Sequence, residues 1–412
     1  MEDAPTRDRS LADYDEHLTG ERRERIESLA AGLTDTRVLH LNSTPSGGGV
    51  AEMLRSLVAL MNDAGVPTDW RVIDGDEAFF EVTKAIHNGL QGEGPPLTDG
   101  MRETYRRWTE ENAAAVADEY DVVVLHDPQP LGTVEALAER FPETAFVWRC
   151  HIDLTDADPA YLEFVRGFVG RTDRAVFSRP EYGERLDGAE RVTVPPAIDP
   201  LTEKNRALSG DERGAEADRV APLDPAADSP LLVQVSRFDP WKDPLGVVEV
   251  YRRVAEAFPG TRLALVGGMP DDDPEGMEVF REVRAATEGD PDVHLLTDQP
   301  DATVNHLQRE ADVVLQKSLR EGFALTVSEA LWKRTPVVGG DVGGIPLQIR
   351  DGENGYLVAP KDYPAVADRV RRLLEDEDRN GRMGETGREF VRERFLLPRL
   401  LRDYLELVEA IA

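Results

Sequence analysis

Glu321 and Glu329 are separated by seven residues in the segment Arg320-Glu321-Gly322-Phe323-Ala324-Leu325-Thr326-Val327-Ser328-Glu329-Ala330. An apolar run precedes this segment and a helical pattern follows it. Glu321 therefore falls in a strand-to-helix loop and Glu329 about one turn inside the helix. Backbone amides at the helix start, from Ala324 to Thr326, can hold a phosphate. The two carboxylates can accept hydrogen bonds from sugar hydroxyls. Thr326 and Glu329 also fit a capping box, in which Glu329 only closes the helix end.

A second group lies upstream, in Ser236-Arg237-Phe238-Asp239-Pro240-Trp241-Lys242-Asp243-Pro244. Arg237 ends an apolar run, and Lys242 follows just before a helical pattern. Two cations at the carboxyl end of a strand are placed to hold a diphosphate, Arg as a fork and Lys as a point charge. The chain has only six lysines, which marks Lys242. The alternative is a pair of surface cations bound to Asp239 or Asp243. A third segment, Asn42-Ser43-Thr44-Pro45-Ser46-Gly47-Gly48-Gly49, joins a strand to a helix. Its glycines let amides approach an anion at the helix start, or simply supply a turn with positive φ. It is neither G-x-G-x-x-G nor a Walker A loop.

His151, in Trp148-Arg149-Cys150-His151-Ile152-Asp153, again follows a strand, where it can meet a sugar hydroxyl or serve structure alone. The loop His126-Asp127-Pro128-Gln129 opens at the same end and could read an acceptor, as could Asp153. Three features are set aside. Asp271-Asp272-Asp273 reads as a solvated loop in a chain with 80 acidic residues. Gly339-Gly340-Asp341-Val342-Gly343-Gly344 reads as close backbone packing. Cys150 beside His151 is no nucleophile pair, because neighbours on a strand point to opposite faces.

The elements that must carry these groups are visible as short apolar runs at 37–41, 70–73, 121–125, 145–149, 175–178 and 191–194. Helical patterns separate them, at 50–64, 102–119 and 133–140. A polar stretch at 203–229 then breaks the pattern. A second series follows at 231–236, 262–267, 293–295, 313–316, 335–339 and 355–358, with helices at 244–257 and 301–310 among them. Residues 10–33, 362–376 and 386–411 also carry helical spacing. This alternation predicts two doubly wound parallel sheets in an α/β chain. The expected domains are 1–205 and 230–392, joined by a linker at 206–229. A last helix, about 393–412, is expected to pack back on the first domain. At 412 residues, two such domains are the natural division.

The net charge of −32 argues against nucleic acid and anionic membranes as partners. With lysine scarce, it points to a salt-rich, halophilic setting, where molar salt screens the self-repulsion. A single cysteine, the absence of an apolar leader, and no run near the ~20 apolar residues of a membrane span place the expectation in the cytoplasm.

Taken in order, the glycine loop, Arg237 with Lys242, and the Glu321–Glu329 pair resemble the retaining GT-B glycosyltransferases of family 4. The likeness spans nearly the whole chain. LNSTPSGGGVAEML, HDPQPL, WRCHIDL, QVSRFDPWKDP and LREGFALTVSEAL are similar to the branch holding trehalose glycosyltransferring synthases and retaining trehalose phosphorylases. The resemblance implies a GT-B fold, two Rossmann-like domains with an interdomain cleft. It implies reversible transfer of glucose from a nucleoside-diphosphate glucose to glucose, with retention and without metal or other cofactor. Trehalose phosphorolysis, another acceptor, or a non-catalytic nucleotide-sugar sensor are the alternatives.

By the same resemblance, Arg237 and Lys242 would neutralise the diphosphate. Glu321 would bind the transferred glucose, Glu329 the ribose, and His151 the glucosyl ring. Gly48, Gly49, Gly322, Phe323, Ala324, Leu325 and Thr326 would complete the donor site. Ala324 stands where the family often has glycine. The expected partners are small sugars and nucleotide-sugars, with a homodimer possible.

Overall fold

The computed structural model describes residues 1–223, 229–268 and 274–412, and it divides into two compact units, 1–197 with 397–412, and 198–396. In the first unit, strands β1 (Glu2–Asp3), β2 (Val38–Asn42), β3 (Thr68–Val72), β4 (Val122–His126), β5 (Ala145–Arg149), β6 (Arg174–Phe177) and β7 (Glu190–Thr193) form one sheet. Its order is β1-β3-β2-β4-β5-β6-β7, parallel except for β1 on the edge. All five residues of β2, β4 and β5 are buried, as strands covered by helices on both faces must be.

Helix Gly49–Asp63 shows why the covering works. Ala51, Leu54, Leu57, Val58 and Met61 recur at helical spacing, and all are buried. The C-terminal helix Leu397–Glu409 belongs to this unit. Its Arg399 donates to the Pro196 carbonyl at 2.8 Å and pairs with Asp403 at 2.7 Å.

The second unit holds β8 (Leu231–Val235), β9 (Arg262–Gly267), β10 (Val293–Thr297), β11 (Val313–Gln316), β12 (Val337–Gly340) and β13 (Gly355–Val358). They form a parallel sheet in the order β10-β9-β8-β11-β12-β13. In each sheet the order reverses once, at β2/β4 and at β8/β11. Crevices for ligands open at the carboxyl ends of strands at such switch points. The loops after β2, β4, β8 and β11 carry the glycine segment, Asp127, Lys242 and Glu321, and His126 ends β4 itself.

The expected linker at 206–229 is corrected. Helix Gly210–Arg219 lies within it, and residues 198–223 belong to the second unit. Ser209 and Glu212 cap the helix reciprocally, and Thr303 donates to Glu216 Oε2 at 2.6 Å. The helix was hidden because it has few apolar residues. Capping and a buried carboxylate hold it instead. The unit boundaries fall at 197/198 and 396/397, so the last helix starts at Leu397 and not near 393. Helix Glu377–Arg394 stays with the second unit.

Candidate functional site

In the second unit, Lys242 and Glu321 meet. Nζ of Lys242 is 2.6 Å from Glu321 Oε2, with both side chains largely buried. A polar chain runs on from Glu321. Ser318 Oγ donates to the same Glu321 oxygen at 3.0 Å, Gln316 Nε2 donates to Ser318 Oγ at 2.9 Å, and Thr326 Oγ1 donates to Gln316 Oε1 at 2.8 Å. Gln234 secures the other end by donating to the Lys242 carbonyl at 2.8 Å. The cation and the helix start are thus tied into one network at the β8/β11 switch point.

Arg237 is placed differently. It pairs with Asp239 at 3.0 Å and its side chain is 73% exposed. Of the two readings of the cation pair, the surface one describes Arg237 in this state. Lys242 instead turns inward to Glu321. Lys317, not singled out from sequence, is buried beside this loop. Its Nζ is 3.0 Å from Asp243 Oδ2 and 4.6 Å from the centre of the Tyr363 ring.

The capping-box reading of Thr326 and Glu329 is overturned. The helix Leu325–Trp332 starts one residue before Thr326, from Ala324 in the left-handed region at φ 67°, and Thr326 spends its hydroxyl on Gln316. Glu329 is buried at 3% exposure. Its Oε1 lies 4.0 Å from Lys204, and its Oε2 is buried without a hydrogen-bond partner. A buried carboxylate oxygen left unsatisfied is costly, so it marks a place for a donor group.

The backbone from Gly322 to Ala324 is braced from behind. Gln348 Nε2 donates to the carbonyls of Phe323 and Ala324 at 2.5 and 3.2 Å. A Cβ on Gly344 would stand 2.6 Å from Phe323 Cα, and one on Gly340 would stand 2.6 Å from the Ser318 carbonyl. Close backbone packing is therefore the reason for Gly340 and Gly344, while Gly343 takes a positive φ of 54°.

In the first unit, Gly48 caps helix Gly49–Asp63 at φ 107°, a conformation that favours glycine, and Gly49 is exposed at the helix start. The turn reading holds, and the same turn leaves the amides at the helix start facing outward from the cap. A cavity of about 290 Å³ opens beside it, lined by Ser43, Thr44, Phe80, Thr83, Lys84 and His87 together with Gln129. Gln129 Oε1 is buried without a hydrogen-bond partner. Phe80, at 39% exposure, is one of two large apolar side chains left in solvent among the described residues.

His126 is corrected as a direct acceptor contact. Its ring is 1% exposed and lies between two other histidines, His40 at 2.9 Å and His151 at 3.1 Å between ring nitrogens. Asp153 accepts from both the amide and the hydroxyl of Thr155, at 2.9 and 2.7 Å, and so holds its own loop. Cys150 is buried, and burial pushes its thiol well up. That disposes of the Cys–His pair.

Asp127 has φ 64° and ψ −176°, a region almost confined to glycine. Three bonds enforce it. Its amide donates to the Arg149 carbonyl at 2.8 Å, its carbonyl accepts from Trp148 Nε1 at 3.0 Å, and its Oδ1 accepts the His151 amide at 2.7 Å. Burial pushes its carboxyl up to about 6, against the opposing His151 amide and Arg149 charge.

A carboxyl raised in the folded state gives stability present below its unfolded value, roughly 3.9, and lost as pH rises through about 6. Relative to wild type, Asp127→Asn should therefore gain up to about 3 kcal/mol between pH 4 and 7. Urea unfolding across that range checks it; a constant difference would refute the assignment.

Sequence reasoning missed His40, Gln316, Gln348, Lys317 and the Phe80 helix Glu77–Leu90. His40 and Gln316 carried a signal, a polar residue inside an otherwise apolar strand. The acidic triplet Asp271-Asp272-Asp273 lies outside the described residues. Among the described residues, no three His, Cys, Asp or Glu side chains are grouped to hold a metal ion, and no helix is long and apolar enough to cross a membrane.

Known families and proteins match both halves of the chain. Residues 40–184 match the family model "Trehalose synthase, N-terminal domain", and 218–390 match "Glycosyl transferases group 1". A trehalose synthase of Rubrobacter xylanophilus is 44% identical over 408 residues, covering 97% of this chain and 96% of that protein. One of Thermococcus litoralis is 43% identical over 97% of both. The fold is shared with sucrose-phosphate synthase of Thermosynechococcus elongatus, with a TM-score of 0.73 at 18% identity over 91% of this chain and 98% of that one.

Proposed function

Because the chain belongs to the trehalose synthase family of glycosyltransferases, we propose that it moves glucose from a nucleoside-diphosphate glucose onto glucose, forming trehalose reversibly with retention. The observation that carries this is the Lys242–Glu321 pair at the start of helix Leu325–Trp332. Lys242 meets the donor phosphates together with the helix-start amides, and Arg237 turns from Asp239 to join it. Glu321 takes hydroxyls of the transferred glucose. The unpartnered Glu329 oxygen accepts from the ribose.

In the first unit, His151 touches the glucosyl ring and Gly48 and Gly49 offer amides. The acceptor lies in the cavity of Phe80 and Gln129, with Asp127 and Asp153 nearby in the chain. As the bond to the nucleotide breaks, negative charge grows on the leaving phosphate, and fixed cations and amides stabilise that charge. The same phosphate deprotonates the acceptor hydroxyl on the face it leaves. No metal is assigned a role, and the working medium is taken to be salt-rich.

Incubating the protein with trehalose and either UDP, ADP or inorganic phosphate tests this reading. Formation of a nucleoside-diphosphate glucose with a nucleotide supports it. Release of glucose 1-phosphate with phosphate alone would replace it by phosphorolysis.

A further inference from the structure

His40, His126 and His151 lie on neighbouring strands or just beyond them, and their rings form a line. His40 Nδ1 is 2.9 Å from His126 Nε2, and His126 Nδ1 is 3.1 Å from His151 Nε2. The rings of His126 and His151 lie 15° from parallel with their centres 5.4 Å apart, so they meet edge to edge through these nitrogens. The strand pairing makes this line. Residues 40 and 124 are register partners across β2 and β4, and 126 and 149 across β4 and β5. The far end is closed, since His40 is 0% exposed, with Tyr404 of the C-terminal helix against its ring at 5.7 Å.

Burial holds all three rings neutral. It lowers His40 to about 3 and keeps His126 and His151 well below their usual value, with the Arg149 charge adding to the effect on the last two. A neutral imidazole carries one N–H, so the line has only two proton arrangements that keep both bonds. In one, each ring donates toward His151, whose Nδ1–H is then free to donate outward. In the other, each ring donates toward His40, whose Nε2–H is then buried.

His40 Nε2 has no hydrogen-bond partner. The second arrangement strands a buried donor there, and orphaned buried N–H groups are rarer than under-satisfied acceptors. The first arrangement is therefore favoured.

We propose that His40 and His126 are positioning residues that fix the tautomer of His151, so that His151 offers its Nδ1–H to an oxygen of the sugar being transferred. This rests on His151 being the glucosyl contact. The inner histidines act only through it.

The test is two-bond proton–nitrogen NMR of the protein labelled with ¹⁵N-histidine, alongside kinetics of glucosyl transfer. In the wild type, His151 should carry its proton on Nδ1. His40→Asn keeps an amide donor where Nδ1 stood and should preserve both the tautomer and kcat. His40→Phe removes the donor at similar bulk. It should give a mixed His151 tautomer and a kcat lower by about tenfold, the worth of one hydrogen bond, at unchanged donor KM.

His151 protonated on Nε2 in the wild type would overturn the inference whatever the activity. Equal tautomers and equal kcat in the two variants would overturn it as well. A protein that transfers no glucose at all would instead overturn the functional reading beneath it, and the tautomer measurement tells these failures apart.

Discussion

Replacing Lys242 by alanine is expected to lower kcat/KM for the nucleotide-sugar by about 10²–10³, the usual cost of removing one group that stabilises transition-state charge. Lys242 is singled out over Arg237 for a structural reason. Its ammonium is already inside the network, 2.6 Å from Glu321, and Gln234 holds its backbone. Arg237 has its side chain largely in solvent. Loss of Lys242 would remove the cation proposed for the leaving phosphate, and with it the 2.6 Å ion pair to Glu321. Both kcat and donor KM should suffer, with kcat falling more. Steady-state kinetics with circular dichroism as a fold control will check this. A kcat/KM within threefold of wild type would remove Lys242 from the phosphate site.

A large effect on stability is expected at Gly267, at the end of β9. A Cβ there would stand 2.1 Å from the Ser236 carbonyl oxygen, which is backbone and cannot swing aside. Gly267→Ala should therefore cost about 3 kcal/mol or more, the upper range for overpacking. The corresponding fall in melting temperature is of the order of 10 °C. The displaced carbonyl begins the loop that carries Arg237 and Lys242, so activity should fall with stability.

Gly214→Ala is the contrast. Nothing lies within 4 Å of its would-be Cβ, and it sits inside helix Gly210–Arg219. Alanine there should be neutral or stabilise by up to about 1 kcal/mol. Thermal melts of both variants settle the comparison; equal melting temperatures would show that the contact at Gly267 relaxes freely.

Strands were legible where the chain alternates between buried apolar runs and amphipathic helices. The runs at 145–149, 262–267, 313–316 and 355–358 coincide with β5, β9, β11 and β13. Two patterns of the same spelling had opposite outcomes. Ser209-x-x-Glu212 is a true capping box, and it starts a helix that went unread in a polar stretch. Thr326-x-x-Glu329 is not, because the tertiary partner Gln316 takes the Thr326 hydroxyl. Local spacing offers both; only packing decides.

The site followed the same rule. The residue types at Lys242 and Glu321 showed on the chain, but their pairing across 79 positions did not. Nor could the chain show that the His126 ring is enclosed, since its cover comes from His40 on β2 and His151 beyond β5.

The product of the reaction is the decisive readout for the proposed transfer. The protein should be given a nucleoside-diphosphate glucose labelled with ¹³C at the anomeric carbon, together with unlabelled glucose in molar KCl. The linkage is then read by NMR. The expected product is trehalose with both anomeric centres α and the label in one ring, together with free nucleoside diphosphate in equal amount. An inverted centre, or a donor left intact beside glucose, would contradict it.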